Sequence, residues 1–183
     1  MKYFVVSLLM LASFSVSGQS KYITKNGYIE FFSKTTMEDI AAKNEQASSI
    51  IDAETGKVVV AVLMKSFRFE KALMEEHFNE NYVESGKFPK ANFSGTIVDY
   101  KTDAFKEGVA TKVSVFGDLT IHGVTKPTTV FVTITKTKDG LTAESQFIVK
   151  LSDFDIKIPT VVKDNISNEI KVSLKFSYLP LKI

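Results

Sequence analysis

The chain has 183 residues, no cysteine and a formal net charge of +2. Without cysteine it has neither a disulfide framework nor a thiol for lipid anchoring. Arg68 is its only arginine and its lysines are scattered along predicted strands, so no basic stripe for nucleic acid exists.

The first residues read as a targeting segment. Lys2 is followed by an apolar run over residues 4–14 and by the small residues Ser15, Ser17 and Gly18. The run is short for a bilayer span and no stop-transfer charges follow it, which predicts a secretory signal over residues 1–18, cut near Gly18 and Gln19. Residues 19–183 then form a single domain, with no internal repeat or linker, large enough for its own core.

The first strand is predicted over residues 22–32, passing a turn signal at Asn26-Gly27. Residues 34–49 are polar, lack a sustained apolar stripe, and are expected to be an irregular or partly helical connection. Ile50 and Ile51 open the second predicted strand, with residues 52–57 as its hairpin loop. Residues 58–64 are an unbroken apolar run, the pattern of a strand covered on both faces. The expected cover is a helix over residues 70–82, either against the wall or across one end. There Leu73, His77 and Asn81 form one row, Met74, Phe78 and Tyr82 lie beside it, and Glu75, Glu76, Asn79 and Glu80 face water.

From Phe93 onward the pattern is all β, with strands predicted over residues 93–100, 110–122, 128–137, 141–151 and 169–178. In the second of these, Val113, Val115, Leu119 and Ile121 share one face, and Lys112, Ser114, Asp118, Thr120 and His122 share the other. That alternation marks a strand with one buried and one wet side. Gly123 suits a tight turn, and Val130, Val132 and Ile134 continue the apolar face beyond it. Asp139-Gly140 signals a further hairpin. In the last strand Ile170, Val172, Leu174, Phe176 and Tyr178 alternate with Lys171, Ser173, Lys175 and Ser177. Many short strands separated by turn residues predict a sandwich or a barrel.

Catalytic motifs are missing. With only His77 and His122 as histidines, and no nucleophile elbow, phosphate-cradling loop or His-Glu-x-x-His pair, the chain reads as non-enzymatic. His122, on the polar face beside a turn, is expected to bond loop backbone and lock the hairpin, and His77 to be a half-buried histidine of the helix stripe. The informative feature is the set of inward positions: Phe93, Val113, Val115, Leu119, Ile121, Val130, Val132, Phe147, Val149, Leu174 and Phe176. In a sandwich they would fill the core, and in an eight-strand barrel they would line a space for one slender ligand. The pattern alone leaves both open.

The segment Gly117-Asp118-Leu119-Thr120-Ile121-His122-Gly123-Val124-Thr125-Lys126-Pro127 closely resembles the signature hairpin of the YceI-like family. Tyr82-Val83-Glu84-Ser85, Phe88-Pro89-Lys90-Ala91-Asn92-Phe93 and Leu151-Ser152-Asp153-Phe154-Asp155-Ile156 are similar to other family segments, and the resemblance runs from about residue 22 to 179. It departs at the start, where Lys25-Asn26-Gly27-Tyr28 stands in place of the family's histidine-containing opening. The resemblance implies an all-β fold, an antiparallel eight-stranded lipocalin-like β-barrel with one covering helix. It also implies a periplasmic or secreted protein that holds or carries a polyisoprenoid or similar long-chain amphiphile without a cofactor. The eleven inward residues would then line the tunnel, with Tyr82, His122 and Lys126 near the head-group end. Transient membrane contact and a homodimer are compatible with that role. The rival expectation is a packed β-sandwich serving interaction or stress-related structural support, without a ligand.

Overall fold

The computed structural model describes residues 20–181; the predicted leader and its cleavage site lie outside the described residues. The strands are β1 (Lys21–Lys34), β2 (Asp39–Asp52), β3 (Lys57–Leu63), the two-residue β4 (Arg68–Phe69), β5 (Lys90–Ile97), β6 (Ala110–Ile121), β7 (Val124–Lys136), β8 (Leu141–Lys150) and β9 (Glu169–Pro180). The sheet order is β1-β9-β8-β7-β6-β5-β3-β2, and β1 pairs with β2 to close it. The strands therefore form an eight-stranded antiparallel barrel, not two stacked sheets. β4 adds to β2 alone, through Ala42 and Lys43.

Antiparallel alternation sends every second connection to the same end. Residues 35–38, 64–89, 122–123 and 151–168 gather at one end, and residues 53–56, 98–109 and 137–140 at the other. The second end is shut by buried side chains, among them Phe105, Leu141 and Tyr178. There the Tyr100 hydroxyl donates to the Ala53 carbonyl at 2.6 Å.

The polar stretch expected to be a connection is strand β2. Its inward positions are Ala42, Asn44, Ala47, Ser49 and Ile51, all buried, so the alternation is present but carried by small and polar residues. Buried polar groups need partners, and these have them. Asn44 Nδ2 donates to the Leu63 carbonyl at 3.0 Å, its Oδ1 accepts from Gln46 N at 2.8 Å, and Ser49 Oγ donates to the Val59 carbonyl at 2.9 Å. Ile50 and Ile51 end this strand instead of opening one. Gly27 does not turn the chain. It lies inside β1 at an irregular register opposite Ala47, and a side chain there would collide with the Phe176 ring.

Two further expectations change. The outer face of β3 is not covered: Val59 is 49% exposed and Leu63 43% exposed. The helix is also shorter than expected. α1 spans Ala72–His77 and is continued by a single wider π-type turn, Phe78–Tyr82. Met74, Phe78 and Tyr82 are half-buried and turn toward the barrel, while Leu73, His77 and Asn81 are exposed, His77 at the border of the cavity. It lies among the connections of the first end, not on the wall.

Candidate functional site

The barrel encloses a cavity of about 360 Å³, within the ~300–1,000 Å³ range typical of small-molecule pockets. Side chains that alternation sends inward would be fully shut off in a filled barrel. Here Phe93, Leu119, Ile121, Val132, Phe147 and Leu174 border the cavity yet keep accessible surface. The interior is hollow. Val115, Val130, Val149 and Phe176 also border it, from positions only 1–7% exposed.

Val113 is not on the lining, although it faces Val132 in the ladder and joins the core around it. Positions on strands β1 to β3, Ile29, Val58 and Val62 among them, complete the wall. Their signal was an inward parity disguised by bulges and by the uniform apolarity of β3. Phe31, Phe67, Phe69 and Phe78 form a cluster toward the open end, with ring centroids 5.1–5.7 Å apart. That spacing is within the favourable range for tilted and edge-on aromatic pairs.

The polar rim gathers at the open end around Glu38. Its carboxylate accepts from Lys71 Nζ and from Asn165 Nδ2, each at 3.2 Å. One side chain thus ties the β1–β2 turn to the residue before α1 and to the long β8–β9 connection. The Asn165 hydrogen bond first, and then Lys71, hold the Glu38 carboxyl below its ordinary range. Deeper polar groups are few and satisfied: the buried Tyr178 hydroxyl donates to Ser49 Oγ at 2.9 Å. Burial raises the Tyr178 phenol far above its usual range and raises that of Tyr82, which borders the cavity beside α1.

His122 and Lys126 do not line the cavity. Lys126 is exposed. His122 occupies the first position of a two-residue turn with Gly123, at φ 51° and 76° respectively, where mirror-image hairpin turns require left-handed backbone. Its ring is a latch. Nδ1 lies 3.1 Å from the Phe154 carbonyl oxygen, Nε2 lies 2.7 Å from a Glu84 carboxylate oxygen, and Phe88 stacks edge-on at 4.7 Å. Both partners are acceptors, so the two bonds form together only on the doubly protonated ring.

The latch matters because the β7–β8 ladder runs only from Val132–Ser145 to Lys136–Leu141. Beyond it the strands part, and the Leu151–Phe154 turn packs beside β7. Pro127 falls in this unladdered stretch, where a missing N–H costs nothing. Replacing His122 with alanine should lower stability by about 2 kcal/mol, from the lost hydrogen bonds and a strained turn. Glu84→Gln, at an exposed carboxylate, should cost well under ~1 kcal/mol. Urea unfolding midpoints check both, and equal midpoints for His122→Ala and the parent would refute the latch.

The YceI-like domain model matches residues 10–178. A UPF0312 protein of Vibrio vulnificus is 39% identical over 75 residues, which are 40% of this chain and 36% of that protein; the match therefore spans about a third of the relative's length. Among solved structures, a polyisoprenoid binding domain from Saccharophagus degradans superposes with a TM-score of 0.78 at 14% identity, covering 89% of this chain and 99% of that one. Burkholderia cenocepacia BcnA gives 0.67 at 18% identity, over 81% and 94%. The Campylobacter jejuni YceI protein gives 0.58 at 17% identity, over 99% and 92%. These distant structures share the barrel, and the family model extends over nearly all of it: the chain belongs to the YceI-like family.

Proposed function

We propose that this protein is an exported, non-enzymatic carrier that holds a polyisoprenoid or similar long-chain amphiphile in the barrel, without a cofactor, and exchanges it in transient contact with a membrane. The observation that carries this reading is the hollow interior, hydrocarbon along its walls, shut at one end and rimmed with polar groups at the other. A prenyl chain suits such a space because its binding needs length and apolar walls, not directed hydrogen bonds.

The magnitudes agree. Each buried methylene-like group contributes about 0.8 kcal/mol, so a five-carbon unit contributes about 4 kcal/mol. Two to four units offset the roughly 4–15 kcal/mol that association costs. A hydroxyl or phosphate head would stay at this rim, near Glu38, Asn165, His77 and Tyr82, which border the cavity, whereas His122 and Lys126 belong to the same end without bordering it.

Mass spectrometry of an organic extract, from mature protein purified without detergent out of its native compartment, tests the reading. A long-chain isoprenoid in about equal amount to protein is expected. Apo protein that also refuses added prenyl lipids would overturn the proposal.

A further inference from the structure

The cavity and its mouth carry an excess of one charge. Among the described residues that border the cavity, Glu38 is the only carboxylate and none is a lysine or arginine. The excess continues outward. Residues 64–89 hold five glutamates against four lysines and arginines, and residues 151–168 hold three aspartates against two lysines. With Glu38, the connections of the open end therefore carry nine carboxylates and six cations. Two of those cations are already engaged: Lys71 Nζ lies 3.2 Å from a Glu38 carboxylate oxygen, and Arg68 Nη1 lies 2.7 Å from one of Glu75. The other four, Lys65, Lys87, Lys157 and Lys163, do not border the cavity.

We infer that the mouth selects a ligand whose head is uncharged, built of hydroxyl or carbonyl oxygens, and discriminates against a phosphorylated one, with Glu38 setting the preference. This rests on the carrier reading above and chooses between the two heads that it admits. A phosphomonoester carries about −1.5 to −2 charges near neutral pH, and proteins hold such groups with arginine or lysine donors. Here it would come to rest beside a carboxylate, and drawing Lys71 toward itself would strip Glu38 of its counter-charge. An uncharged head meets neither obstacle. A hydroxyl can donate to the Glu38 carboxylate, and the Asn165 amide and the Tyr82 hydroxyl border the same space as uncharged partners. The charges are also fixed across the useful pH range. Burial raises the Tyr82 phenol, which therefore stays protonated, and the bonds from Asn165 and Lys71 hold the Glu38 carboxyl low, which keeps it ionised.

The test is titration of the full mature chain with farnesol and with farnesyl monophosphate at pH 8, above the ordinary titration range of imidazole. The parent should bind farnesol more tightly by about tenfold. Raising the ionic strength from about 0.01 to 1 M shortens the Debye length from ~30 to ~3 Å, and should narrow that ratio because the force being screened is repulsive. Glu38→Gln removes the carboxylate and frees Lys71, so it should bring the ratio close to unity at low salt. Glu54→Gln, at an exposed carboxylate of the shut end, should keep the parental ratio. Equal or tighter binding of the phosphate by the parent overturns the inference and leaves the carrier reading standing. So does a phosphate affinity that falls relative to farnesol as salt is added, or a folded Glu38→Gln protein with the parental ratio. Uptake of neither compound removes the carrier reading, and the inference with it.

Discussion

Replacing Leu174 with tryptophan should weaken prenyl-chain binding by about 100- to 1,000-fold while the barrel stays folded. Leu174 lies on β9 opposite Ile29 of β1 and Ser145 of β8. It borders the cavity and keeps accessible surface, so an indole has space to enter, and that space is where the chain would lie. Excluding one five-carbon unit forfeits about 4 kcal/mol of burial, and each 1.4 kcal/mol is tenfold in affinity. The cost in stability should be about 1–3 kcal/mol, as for a moderately overfilled core. Val115 would be a poorer place for the same experiment. At 2% exposure it is already enclosed by neighbours, and a larger residue there would strain the wall before it blocked the cavity. Fluorescence titration with a prenyl alcohol, read beside a urea unfolding curve, separates the two effects. Undiminished binding by a folded Leu174→Trp protein would show that the ligand lies elsewhere.

What could be read from the sequence follows from how local the governing physics is. In β5 to β9 most of the branched and aromatic residues fall on one side, so parity identified Phe93, Leu119, Phe147 and Leu174 as inward. In β2 the alternation slips by one residue between Asn44 and Ala47 and is carried by Ala42, Asn44, Ala47 and Ser49, small or polar side chains that make no apolar stripe. The Phe176 ring lies against Gly27, whose strand partner is Ala47, so small residues there make room for a large one. That complementarity joins positions about 150 apart and has no local signature. The role of His122 as a hairpin latch was legible from its place beside Gly123, whereas Glu84 and Phe154 were not, being 38 and 32 residues away.

The position of the rim was hidden for the same reason. Glu38 meets Lys71 and Asn165 across sequence separations of 33 and 127, and nothing near Glu38 in the chain announces either. Hollowness was illegible for a different reason. Alternation fixes which side chains point inward, but the free volume depends on strand number, tilt and closure together, which only the assembled barrel provides.

Gly117→Val should destabilise the protein by more than about 4 kcal/mol, the range in which a small barrel ceases to accumulate as folded protein. Gly117 pairs directly with Gly95 across β5 and β6. A Cβ at 117 would overlap the Ser94 carbonyl oxygen and the Gly95 Cα, both backbone atoms, and one at 95 would lie 2.7 Å from the Phe116 carbonyl oxygen. The constraint is close approach of two backbones, as at a sharply bent barrel corner, and no rotamer change relieves it. Alanine at 117 should cost less than valine, and Gly86→Ala, where nothing lies within 4 Å of the added carbon, should stay within about 0.5 kcal/mol of the parent. Urea midpoints of the three variants rank the effect, and a Gly117→Val protein within ~1 kcal/mol of the parent would mean the strands do not approach so closely. The consequence reaches the cavity. Phe93 and Leu119 pair two positions from the glycines and border the cavity from this wall. Prising β5 from β6 would open the wall and expose two unpaired strand edges, a template for aggregation. Glycine at 95 and 117 is therefore what allows these eight strands to close around an empty space.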